Sequence, residues 1–81
     1  MHSDTHLLAL IERELQQIKP DIQALSMGTD LVSDLSLDSV QVLEMCTAIE
    51  DELDVSIPVN RLGDVRTAGQ LVAVLQDITK S

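Results

Sequence analysis

Three stretches of this chain carry apolar residues at helical spacing, and no stretch at strand spacing has a second strand to pair with. That pattern confines the chain to a bundle of helices. Leu7, Leu8, Ile11, Leu15 and Ile18 form the first apolar stripe. They predict a helix over residues 5–18, capped by Ser3 or Asp4 and stopped by Pro20. Val42, Met45, Cys46, Ile49 and Leu53 share one face at about 100° per residue and predict a second helix over 38–54. Ala68, Leu71, Val72, Leu75 and Ile78 mark the core face of a third, over 67–79, opened by a capping box of Thr67 with Gln70. Val55, Ile57 and Val59 alternate, but Pro58 interrupts them, so this run reads as an extended turn. A short helical turn over 60–63, around Arg61 and Leu62, ends at Gly63. The expected fold class is all-α, with three main helices and a short fourth in a single domain over 1–81.

Residues 19–37 make a long connection for so small a bundle. Long loops without structure of their own are usually disordered or functional. Ile22, Leu25, Leu31, Val32 and Leu35 lie within this one, so it is expected to be packed down. A single core built from 81 residues is marginal, worth about 3–5 kcal/mol net without staples. No staple is visible. Cys46 is the one cysteine, which excludes an internal disulfide and fits a reducing compartment. Its place on the apolar stripe makes it a small core residue, as is Met45.

The net charge is −9, and its placement is uneven. From Pro20 to Asn60 there is no lysine or arginine, against nine acids: Asp21, Asp30, Asp34, Asp38, Glu44, Glu50, Asp51, Glu52 and Asp54. The rest of the chain carries five acids and five bases, which cancel. Such a field disfavours nucleic acid and anionic lipid and favours basic protein surfaces. Aromatic residues are absent, which argues further against base stacking. No apolar run approaches the roughly 20 residues of a membrane span. The start "MHSDTHLLALIERELQQ" lacks both a basic n-region and a small-residue cleavage site. A soluble, cytoplasmic monomer is expected.

The segment "DLSLDSVQVLEM", Asp34 to Met45, sets two capping residues side by side. Asp38 with Gln41 three positions on reads as a capping box with aspartate in the serine place. Ser39 then falls at the first helical position with its hydroxyl unused. A serine nucleophile needs a base and an oxyanion site. Only His2 and His6 are available as bases, both near the N-terminus, and there is no G-x-S-x-G turn. The cluster "EDELD" at 50–54 lacks the calcium-loop pattern, and neither a zinc spacing nor a Gly-rich phosphate cradle occurs. An enzyme has little to work with here. What remains is Ser39 as a residue that another protein modifies.

At this point the chain resembles the acyl carrier proteins, whose hallmark is D-S-L at the head of the second helix after a loop ending D-L-G-x-D-S. Here the segment is "DLSLDSVQVLEMCTAIEDELDVSIP", Asp34 to Pro58. The likeness continues through Glu44, Glu50, Asp51 and Glu52, the I-P after the helix, and the threonine-capped last helix. The resemblance implies a non-catalytic carrier. In the family a phosphopantetheinyl transferase joins the serine hydroxyl to the phosphate of coenzyme A. The 4'-phosphopantetheine so attached holds acyl or aminoacyl groups as thioesters. The match puts that arm on Ser39. It makes Asp38 a docking residue for the transferase, and sets Val40, Gln41, Glu44, Thr47, Glu50 and Asp51 on the side that faces loading and transferring enzymes with basic surfaces.

Three departures stand out. Ser36 occupies the place of the family glycine, where the turn asks for positive φ. Val40 replaces leucine beside the modified serine, and Leu31 and Leu53 stand where phenylalanine is common. Together they favour a specialised carrier over the housekeeping carrier of fatty acid synthesis. Fatty acyl, polyketide and amino-acid cargoes all stay open, as does a carrier-like module that is never modified and only binds proteins. A small hydrolase using Ser39 is the remote third reading.

Overall fold

The computed structural model describes residues 3–22, 24–63 and 65–79. Its elements are α1 (Asp4–Ile18), α2 (Ser39–Leu53), α3 (Val59–Leu62) and α4 (Ala68–Thr79), all of them helical. The expected boundaries hold to within one residue. His2 and Ser81 lie outside the described residues. No helix among the described residues is long and apolar enough to cross a membrane.

Ser3 is the cap of α1, its Oγ accepting the His6 N–H at 3.0 Å. The helix packs on both α2 and α4, so α1 is the middle of the bundle. That placement widens its buried face beyond one stripe. Leu10 is buried although the stripe omitted it, Leu8 is only half-buried, and Glu14 sits inside with its carboxylate against Arg13. On α4 the same widening buries Val74, while Ile78 is half-buried. Met45, Cys46 and Ile49 carry the core face of α2, flanked by half-buried Val42 and Leu53. Ile57 of the turn after α2 closes that side, at 6% exposure.

The loop between α1 and α2 is fastened at several points. Leu25 and Leu31 are buried and Ile22 and Leu35 half-buried, as expected, but Val32 stays exposed. The Leu25 N–H donates to Glu12 Oε1 at 2.7 Å. The first free N–H groups of α4 are then met by the loop itself. Ala68 N–H donates to the Thr29 carbonyl at 2.9 Å and Gly69 N–H to the Met27 carbonyl at 2.7 Å. Leu31 N–H donates to the Arg66 carbonyl at 2.8 Å, within an antiparallel bridge of Asp30 with Thr67. A helix start with no intrahelical partners needs such acceptors. The loop is therefore also part of the cap of α4.

Arg66 Nε reaches Asp30 Oδ2 at 2.6 Å and Arg13 reaches Glu52 at 2.7 Å. Two of the nine central acids are thus paired by bases from outside the span. The Ser33 N–H, then Arg66 and the Val32 N–H, hold the Asp30 carboxyl below its ordinary value, with desolvation opposing. A depressed folded pKa means this contribution is present above the ordinary aspartate value. It is lost as pH falls through the lowered one.

Thr67 and Gln70 form the expected reciprocal box. Gln70 N–H donates to Thr67 Oγ1 at 3.1 Å, and Thr67 N–H to Gln70 Oε1 at 3.0 Å. Thr67→Ala should cost about 1 kcal/mol, a fall in melting temperature of about 4–8 °C for a domain of this size. An unchanged melt would mean that the loop carbonyls alone suffice to start α4.

Candidate functional site

The approach to α2 is a short stretch in which every residue has a distinct backbone task. Leu37 anchors it in the core at 5% exposure. Ser36 just before it has φ 56°. That is the left-handed region, which disfavours an L side chain by roughly 1–2 kcal/mol. The positive φ expected at this position is there, with a serine adopting it. Asp38 follows in extended conformation as the N-cap. Its Oδ1 accepts the Gln41 N–H at 2.8 Å, and its own N–H donates to Gln41 Oε1 at 3.2 Å. The box is complete without Ser39.

Ser39 opens α2 and is exposed. No side chain of the described residues bonds its hydroxyl. His6 lies in the first turn of α1, on a different element. Among the described residues no three His, Cys, Asp or Glu gather into a group that could hold a metal. The Cys46 thiol is buried, and burial, helped by the charge of Glu50, pushes it up to about 11. It is protonated at neutral pH and a poor nucleophile.

Beyond Ser39 the outer face of α2 is ordered by the helical period. At about 100° per residue, Val40, Glu44, Thr47 and Asp51 lie opposite the core stripe, and all four are exposed. Val40 is 63% exposed and Leu43, on the edge of the same face, 53%. Sequence reasoning passed over Leu43, although an apolar residue three positions from Val40 and off the core stripe was signal enough. Gln41 and Glu50 fall at the two margins and are half-buried. Both have other tasks: the Gln41 carbonyl closes the capping box, and Glu50 Oε2 accepts the Ile57 N–H at 2.6 Å. The exposed part of this outer face thus excludes Gln41 and Glu50 and includes Leu43.

A family model described as a phosphopantetheine attachment site matches residues 5–75. An acyl carrier protein of Rhodococcus erythropolis is 31% identical over 71 residues, covering 88% of this chain and 76% of the relative. The chain belongs to the acyl carrier protein family. A meromycolate extension acyl carrier protein of Mycolicibacterium aurum is 34% identical over 71 residues, 88% of this chain and 71% of that one. A probable acyl carrier protein of Caulobacter vibrioides is 40% identical over 45 residues, 56% of this chain and 52% of that one.

Membership settles the chemistry that the fold serves. Acyl carrier proteins are non-catalytic, and this carrier is not an enzyme. Its cofactor is 4'-phosphopantetheine, put on by a phosphopantetheinyl transferase and served by acyl-handling enzymes. The head of α2 fits such a group. It presents an exposed hydroxyl with no bond to break, at the positive end of a 15-residue helix where an added phosphate is favoured.

Proposed function

We propose that Ser39 carries the 4'-phosphopantetheine arm and that this carrier domain moves acyl groups, held on it as thioesters, between cytoplasmic enzymes with basic surfaces. The observation that supports this most directly is the spare Ser39 hydroxyl behind a capping box that Asp38 and Gln41 complete by themselves. A base on the transferase takes the hydroxyl proton, the oxygen bonds to phosphorus of coenzyme A, and adenosine 3',5'-bisphosphate leaves. The arm's thiol supplies the thioester chemistry. The chain supplies the rest: a fixed point of attachment, an acidic surface, and a core cysteine kept inert. Relatives named for acyl carriage favour an acyl cargo over an amino acid. With a meromycolate extension carrier among them, a place in lipid metabolism is the reading they support best.

In this reading Asp38 docks the transferase, Glu44 and Asp51 steer basic partners, and Val40, Leu43 and Thr47 meet them near the arm. Gln41 and Glu50 support that face more than they touch a partner. Incubation with a phosphopantetheinyl transferase and coenzyme A should add the mass of one arm, and peptide mapping should put it on Ser39. An arm on any other serine, or no added mass, would overturn the proposal. The second outcome would favour an unmodified interaction module.

Val40 gives a test of the surface itself. Val40→Asp should slow modification at least tenfold, since an exposed apolar side chain beside the attachment point is explained by a partner. At 63% exposure the side chain contributes little to the core, so the melting temperature should stay within about 2 °C. A large loss of stability in thermal melts would put Val40 in the core and remove the partner reading.

A further inference from the structure

Lys19 is the last base before the acidic span, and it pairs with none of the acids. Among the described residues it forms no ion pair. Its Nζ instead donates to the Leu35 carbonyl at 2.9 Å, across sixteen positions of sequence, from a half-buried side chain. Its ammonium bonds a neutral carbonyl instead of a carboxylate, so the fold holds the two groups together there. The carbonyl it takes belongs to the residue immediately before Ser36, whose φ is 56°. A serine in the left-handed region persists only where its surroundings over-determine it. The Lys19 bond on one side of Ser36 and buried Leu37 on the other supply that constraint. Two residues further on, the capping box fixes the entry to α2.

We infer that Lys19 is a positioning residue for the attachment reaction. It clamps the Leu35 carbonyl, holds Ser36 in its left-handed conformation, and so sets the angle at which Ser39 is presented to the transferase. The clamp acts through backbone, not through the reacting oxygen. The inference rests on Ser39 being the attachment residue only for its effect on modification. Its effect on the loop stands by itself.

The test uses the full chain in its unmodified form. Lys19→Met keeps an unbranched apolar stem and removes the donor, whereas Lys19→Arg keeps a cationic donor. Amide hydrogen exchange at Asp38, whose N–H donates to Gln41 Oε1, should quicken about tenfold in Lys19→Met, the size of one charge-assisted hydrogen bond. kcat/KM for modification should fall by a similar factor, and Lys19→Arg should recover both to within about threefold of the wild-type values. Thr67→Ala serves as the control, because it lowers stability at α4 without touching the clamp. It should leave exchange at Asp38 and modification near wild type. Wild-type exchange and rates in Lys19→Met would overturn the inference, as would a failure of arginine to rescue. Thr67→Ala matching Lys19→Met would also overturn it, by showing that general stability sets the rate. If Ser39→Ala still gained the arm, the attachment reading would fail while the exchange result still decided the clamp.

Discussion

Ser39→Ala should keep its fold, melt at the wild-type temperature or slightly above it, and take up no mass from coenzyme A. Serine at a helix start is usually there to cap, and removing a cap costs about 0.5–2 kcal/mol. Here that task belongs to Asp38, whose carboxylate holds the Gln41 N–H at 2.8 Å. Ser39 sits one residue inside the helix, where alanine is the better helix former by a few tenths of a kcal/mol. Asp38→Ala is the counterpart. It should lose about 1 kcal/mol and melt lower by about 4–8 °C, while Ser39 keeps its hydroxyl. Intact mass and thermal melts on the two variants separate capping from chemistry. If Ser39→Ala were the less stable of the pair, its hydroxyl would belong to the cap, and the argument that it is spare would fall.

Much of this arrangement is legible in the chain because it is written in side chains. The stripes of α1, α2 and α4, the two capping boxes and the inert core position of Cys46 each follow from residue type and period. The left-handed turn at Ser36 is legible too, through the glycine that the family resemblance put there. What escaped is carried by backbone. The carbonyls of Met27, Thr29 and Leu35 accept the bonds that fasten the long loop, and a carbonyl has no sequence signature. Glu50 read as a residue at the margin of the partner face because nothing in its neighbours announces that the Ile57 N–H will turn back to it. The pairing of two of the central acids is hidden for a related reason. Arg13 and Arg66 are far from their acids in sequence and adjacent to them only after folding.

Gly69 shows the same limit and yields the sharpest stability test. A glycine inside an amphipathic helix invites replacement by alanine, which on helix propensity alone should gain about 0.8–1 kcal/mol. The structure reverses the sign. A Cβ on Gly69 would lie 2.8 Å from the Met27 carbonyl oxygen and 3.4 Å from Met27 Cβ. The close neighbour is backbone, and it is the acceptor of the Gly69 N–H at 2.7 Å, so it cannot step aside without breaking that bond. The adjacent bond from Ala68 N–H to Thr29 would be pulled with it. Overpacking of this kind costs about 1–3 kcal/mol. With one lost hydrogen bond added at about 1 kcal/mol and the propensity gain of about 0.8–1 kcal/mol set against it, the net effect of Gly69→Ala should be a loss of about 1–3 kcal/mol. Against a core of about 3–5 kcal/mol that is a large fraction. The melting temperature should drop by about 4–8 °C for each kcal/mol. Gly69→Val, bulkier and β-branched at the same spot, should leave little folded protein. Gly63→Ala is the control: its new Cβ would meet only the Asn60 carbonyl at 3.9 Å, and its φ of −61° suits any residue. That variant should melt within about 2 °C of wild type, since no contact is crowded and no bond is lost. A Gly69→Ala protein that melts higher than wild type would show propensity winning over the contact, and the loop would not be held against α4 at that distance.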